Sequence, residues 1–282
     1  MKLHDFRVLT FDCYGTLIDW ESGIHAALGP LIARAGIALG RDEVLAEFAR
    51  HESAQEHETP GMVYSRLLAA VHRRLAAAWG VRLEDADHER FGNSVPDWPA
   101  FPDSAASLRY LKQHYRLVIL SNVDREGFRG SNRRLGVEFD AIFTAQDIGS
   151  YKPDLRNFHY MLERLGGMGI GKGDILHTAQ SLFHDHAPAR QVGLATAWID
   201  RRHAASGWGA TMPPPEGTSW DFRFDSLPRW WRRTGRRRLA AGAHERPLCR
   251  RARAWPRLGR DPCGARARHP LPCPPGHAGD AR

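Results

Sequence analysis

The sequence predicts an α/β fold: a parallel sheet covered by helices, with an all-helical segment inserted after its first strand. Three observations predict it. Short apolar runs alternate with helical patterns over much of residues 1–227, as in a parallel sheet whose crossovers are helices. Between Trp20 and Gly92 the alternation stops, and Ala, Leu, Arg and Glu at helical spacing take over. From Pro228 onward neither period survives.

The elements follow in order. Phe6–Phe11 (FRVLTF) reads as a buried strand emptying into Asp12-Cys13-Tyr14-Gly15-Thr16. The insertion carries apolar residues at Val44, Leu45 and Phe48 and at Leu67, Leu68, Val71 and Leu75, a spacing that predicts three or four helices. Prolines between Pro96 and Pro102 mark a return loop. Asp103 or Ser104 can cap a helix to about His114, followed by a strand at Leu117–Leu120. Ala141–Thr144 is a third strand, and Lys152–Leu165 a helix. A glycine-rich turn precedes a fourth strand at Ile175–Thr178; a helix at Pro188–Val192 and a fifth strand at Ala195–Ile199 complete the series. The expected division is a core of residues 1–18 and 99–227, a helical segment of 19–98, and a tail of 228–282.

The net charge of +8 belongs to that tail. Residues 228–282 hold fifteen Arg, no Lys and three acids, whereas residues 1–227 hold 25 basic and 29 acidic residues. Eight of the eighteen prolines also lie there, and such a segment buries too little apolar surface to order itself. Its vocabulary of Arg, Ala, Gly and Pro is that of a GC-rich gene read in a shifted frame, which is the reading preferred here. A genuine disordered tail and a nucleic-acid-binding arm are the alternatives. Cys13 is the one cysteine before the tail, so the body has no disulfide framework. With no signal-peptide pattern and no run of about 18 apolar residues, a soluble, cytoplasmic protein is expected.

Chemistry concentrates in four places. Asp12 sits at the carboxyl end of the first strand, where open α/β sheets place their sites, and Gly15 permits a sharp turn beside it. The Thr16 hydroxyl and nearby N–H groups can hold an anion. Ser121-Asn122 ends the second strand, Lys152-Pro153-Asp154 opens a helix, and Ser181 to Asp185 follows the fourth strand. A lysine is misplaced at a positive helix N-terminus unless an anion lies near it, so Lys152 is expected beside a carboxylate.

In this order the four segments resemble the motifs of the haloacid dehalogenase superfamily, and of its L-2-haloacid dehalogenase branch in particular, over about residues 5–227. The resemblance implies a Rossmann-like core with a helical cap, and Asp12 as a nucleophile that forms a covalent ester with substrate. It implies that Lys152 keeps Asp12 ionised and that Asp185 holds Lys152 or orients the hydrolytic water. Tyr14, Thr16, Ser121, Asn122 and Ser181 are the implied substrate-binding residues, and Arg50 of the cap the cradle for a departing halide. The implied substrate is a short 2-haloalkanoic acid, displaced at C2 with inversion. A homodimer is expected by the same analogy; a nucleic-acid partner and a membrane are not.

Phosphatases of the superfamily carry a second aspartate where this chain has Tyr14, whose pKa near 10 makes a poor proton shuttle at neutral pH. A halide leaves without a proton. In the fourth segment Ala179-Gln180 falls where phosphatases have Gly-Asp, which removes a carboxylate from a Mg²⁺ site. No cofactor is therefore expected, Mg²⁺ entering only if the chain is a phosphatase, the alternative within the superfamily. Phe158 and Leu182 stand where dehalogenases of this type have Tyr and Asn, so the substrate can differ from theirs. His177, His184 and His186 do not read as a zinc set, because the first lies too far along its strand.

Overall fold

The computed structural model describes residues 1–228, and all three readings of the tail lie outside them. Six parallel strands form one sheet in the order β3-β2-β1-β4-β5-β6: β1 Val8–Phe11, β2 Arg116–Ser121, β3 Ala141–Thr144, β4 Ile175–Ala179, β5 Ala195–Ile199 and β6 Phe222–Phe224. β1 pairs with β2 on one side and β4 on the other, and all four of its residues are buried. The strand order reverses at β1, so the crevice at its carboxyl end is the topological switch point.

Four helices intervene between β1 and β2: α1 Trp20–Ala35, α2 Arg41–Glu58, α3 Tyr64–Ala78 and α4 Asp85–Gly92. This is the cap. Phe48, Leu67, Leu68, Val71, Leu75 and Phe91 bury their side chains between its helices. Core helices are α5 Ser104–Leu111, α6 Arg125–Leu135, α7 Ala145–Ile148, α8 Leu155–Gly166 and α9 Ala187–Gln191. Three contacts tie cap to core near the crevice. Ser65 N–H donates to Asp124 Oδ2 at 2.9 Å, the Tyr151 hydroxyl donates to the Met62 carbonyl, and Asn122 Nδ2 donates to Glu56 Oε1 at 3.3 Å. Trp98, on the return loop, packs edge-on to Tyr14 and fills the space beside Gly23 of α1.

Two local expectations need correction. α8 starts at Leu155, with Asp154 as its cap, because the Asp154 carboxylate accepts from Arg156 N–H at 2.8 Å; Lys152 lies in the preceding turn. Asp103 precedes α5 but does not cap it through its side chain: its carboxylate instead holds Arg201 at 2.8 and 2.9 Å and accepts from Leu227 N–H at 3.1 Å. No helix was expected at α6, nor a strand at β6. Among the described residues no helix is long and apolar enough to cross a membrane, and Cys13 is a buried free thiol.

Candidate active site

The strand-end residues converge on one ammonium. Lys152, 1% exposed, donates to Asp12 Oδ1 at 2.9 Å, Asp185 Oδ1 at 2.7 Å and the Leu120 carbonyl at 3.0 Å. A lysine has three N–H donors, and all three are used. Burial alone would lower its pKa, but the two carboxylates outweigh burial and raise it. Asp12 also accepts from the Thr16 hydroxyl at 2.7 Å on Oδ2, so both oxygens are met by donors, as suits an ionised carboxylate. Burial pushes the Asp12 carboxyl up; Lys152 and Thr16 oppose it, while Asp185 adds to it. Asp185 is buried too, but Lys152 and a 2.9 Å bond from His177 Nε2 overcome burial and hold it well below the carboxylate range. The other His177 nitrogen lies 2.8 Å from Thr10 Oγ1, which fixes the ring from behind. Asp185 Oδ2 has no hydrogen-bond partner among the described residues.

Gly15, at φ +89°, makes the expected turn, and Thr16 accepts from Gln180 N–H at 2.9 Å while it donates to Asp12. Asn122 clasps the backbone of Lys152, accepting from its N–H at 2.7 Å and donating to its carbonyl at 2.9 Å, so its amide positions Lys152 before it meets any ligand. The Tyr14 hydroxyl is 3.0 Å from Ser131 Oγ, and Ser181 Oγ accepts from His184 N–H at 2.9 Å. Ser121 is buried with an unpartnered hydroxyl and does not line the cavity described below. Arg50 is not brought to the site. It is exposed on α2 and pairs with Glu47 at 2.7 Å, because it falls on the face opposite to Phe48 and Glu52.

A cavity partly open to solvent lies between Asp12 and the cap. Its core wall includes Asp12, Lys152 and Asp185, and its cap wall is Trp20, Glu52, Glu56 and Tyr64. Glu52 and Glu56 are 4% and 8% exposed. Burial pushes Glu52 up to about 8, although the Tyr64 hydroxyl donates to it at 2.6 Å. Burial and then the Glu52 charge push Glu56 well above the usual range, against Asn122 and Lys152. His184 completes the lining; burial lowers it to about 4, so its ring is neutral at pH 7.

The profile of the haloacid dehalogenase-like hydrolases matches residues 6–177. The chain belongs to that family. It is 23% identical over 211 residues to an (S)-2-haloacid dehalogenase of Pseudomonas putida, covering 72% of this chain and 88% of that protein. With an (S)-2-haloacid dehalogenase of Pseudomonas fluorescens it shares 28% over 204 residues, covering 69% and 85%. The crystal structure of the L-2-haloacid dehalogenase PA0810 superposes with a TM-score of 0.67 at 23% identity, covering 81% of this chain and 99% of that one.

The magnesium ion that phosphatases of this superfamily use does not fit these residues. Lys152 Nζ bridges the two remaining carboxylates, the Tyr14 phenol is turned to Ser131, and position 180 offers an amide. Among the described residues no group of three or more His, Cys, Asp or Glu could hold a metal, and His186 is engaged with the Ala179 carbonyl. The sequence reading missed Glu52, Glu56, Tyr64, Trp20 and the bond from His177 to Asp185. One signal for the acids was present: the stripe Val44, Leu45, Phe48 continues at helical spacing into Glu52 and Glu56, which puts carboxyls on the buried face of α2.

Proposed function

We propose that this hydrolase cleaves carbon–halide bonds of short organic compounds through an ester on Asp12, without a metal. An Asp12 carboxylate oxygen bonds to the substrate carbon as the halide departs with its electron pair, inverting that carbon. Water then attacks the ester carbonyl, the alcohol oxygen leaves with one proton from that water, the other passes to solvent, and Asp12 is regenerated as its carboxylate. Lys152 holds Asp12 ionised and aligned for both steps. Asp185, with Oδ1 engaged by Lys152 and His177, has Oδ2 left to accept from the water. Trp20, whose indole N–H has no partner among the described residues, replaces Arg50 as the donor for the halide.

The observation that carries the reading is that the proton shuttle of phosphoryl transfer is missing beside the nucleophile. Tyr14 stands at that position, burial raises its pKa well above 10, and its hydroxyl is bonded to Ser131. A halide needs no such shuttle. The names of the relatives point to 2-haloacids as substrates; that finer expectation rests on them alone. The test is halide release from chloroacetate, (S)-2-chloropropionate and their amides in excess EDTA, with mass spectrometry of Asp12 after rapid quenching. Asp12→Asn is expected to abolish halide release and the mass increment. Turnover that persists in Asp12→Asn, or that EDTA stops, refutes the proposal.

A further inference from the structure

The hydrogen-bond inventory of the cavity narrows the substrate class within the reading just proposed, on which this inference rests. Apart from the Trp20 indole, assigned above to the halide, most side-chain donors of the lining are spent. Lys152 has given all three protons to Asp12, Asp185 and Leu120, and Asn122 Nδ2 serves the Lys152 carbonyl and Glu56. Tyr64 gives its hydroxyl to Glu52, and Tyr14 and Ser181 share theirs with Ser131 and His184. The acceptors are not. Glu52 and Glu56 each have one oxygen bonded, at 2.6 and 3.3 Å; the second oxygen of each has no partner among the described residues, though both side chains are more than nine-tenths buried and line the cavity.

A free carboxylate is poorly matched to such a wall. It would enter beside Asp12 and Asp185, with the lone lining ammonium already committed to both. A primary amide is well matched, because its NH₂ donates to a glutamate oxygen and its carbonyl accepts if that glutamate is protonated.

We propose that the substrate is a short organohalide whose group next to the reacting carbon is a nitrogen hydrogen-bond donor, a primary carboxamide, received by Glu52 and Glu56. The two glutamates are specificity-determining residues and take no part in the displacement at Asp12. Burial raises the proton affinity of both, and the Glu52 charge adds to it at Glu56.

Chloroacetamide and chloroacetate share leaving group, reacting carbon and size, and differ in the group the cap meets. kcat/KM for halide release is measured for both with the wild type and with Glu52→Gln, Glu56→Gln and the double variant. Binding of the unreactive propionamide and propionate is measured in parallel by calorimetry. The amide is expected to exceed the acid at least tenfold in kcat/KM and in affinity, and that ratio is expected to fall at least fivefold in the double variant. An acid turned over as fast as the amide, or a ratio unmoved in the double variant, overturns the proposal while leaving the ester mechanism standing. If no halide is released from either compound, the mechanism fails. The glutamate assignment is then judged by propionamide binding, kept if the preference exists and depends on Glu52 and Glu56, and lost otherwise.

Discussion

Replacing Lys152 by methionine keeps the shape of the buried stem and deletes the charge. The side chain is 1% exposed, and its ammonium is the shared partner of Asp12 at 2.9 Å and Asp185 at 2.7 Å. Removing one member of a buried ion pair costs about 3–5 kcal/mol, because the charge left behind is uncompensated. Here two carboxylates are left, of which only Asp185 retains a neighbouring histidine. Lys152→Met is therefore expected to lose about 3–5 kcal/mol at pH 7, or roughly 6–20 °C in Tm for a folded body of this size. The pH dependence follows from the directions of the shifts. In the variant both carboxyls are raised above their unfolded values, so their contribution is present below those values and is lost as pH rises. In the wild type Asp185 is depressed, and its contribution is lost as pH falls through the acid range. The Asp185 contribution of the wild type is lost only below its unfolded value. Between pH 7 and pH 5 only the raised carboxyls of the variant take up protons, and their protonation narrows the gap between the proteins. Urea titrations at pH 5 and pH 7 measure it. A deficit under about 1 kcal/mol at pH 7, or one that does not shrink at pH 5, refutes the claim that this ammonium compensates two buried carboxylates.

Other perturbations test single links. Glu52, raised to about 8 from an unfolded value of 4.5, favours the folded state most below the unfolded value and progressively less up to the folded one. At ~1.4 kcal/mol per pH unit, Glu52→Gln should gain roughly 3 kcal/mol on the wild type between pH 4.5 and 7, read from urea midpoints; a constant difference would show that folding does not raise the Glu52 carboxyl. Arg50→Ala should leave kcat/KM within twofold and stability within about 0.5 kcal/mol, since Arg50 is exposed and paired only with Glu47; a tenfold loss of activity would place it at the substrate after all. Trp20→Phe should lower kcat for chloride release about tenfold while circular dichroism stays unchanged, and an unaltered kcat removes its N–H from the leaving-group step. Gly23→Ala should destabilise by about 1–3 kcal/mol in thermal melts, because the added methyl would lie 2.3 Å from a Trp98 ring carbon.

The sheet was legible because buried strands are short apolar runs whatever their neighbours. β3 and β5 begin and end where the pattern places them. α6 was not legible. Its RGSN segment has weak helix propensity, and Gly130 is explained only by tertiary contact: a Cβ there would lie 2.5 Å from Pro96. β6 has three residues and forms on the edge of β5, a pairing no local period announces. Asp12, Lys152 and Asp185 were legible as motifs, and their meeting point follows from the parallel register of β1, β2 and β4. Arg50 lies on the solvent face of α2, and Glu52, two residues on, lies on the buried one.

That asymmetry has a physical basis. The core residues satisfy one another: Lys152 with its three acceptors, Asn122 around the Lys152 backbone, His177 between Thr10 and Asp185. A set of groups that exhausts its own donors defines a reaction and leaves little with which to choose a substrate. Choice falls to whatever faces that set across the cavity, and in this chain those groups belong to α1, α2 and the start of α3. On the proposed mechanism the four motifs govern displacement at carbon and say almost nothing of the group beside that carbon. Under the proposal made above, enzymes that keep all four motifs part company on substrate through one turn of a cap helix, here the turn that carries Glu52 and Glu56.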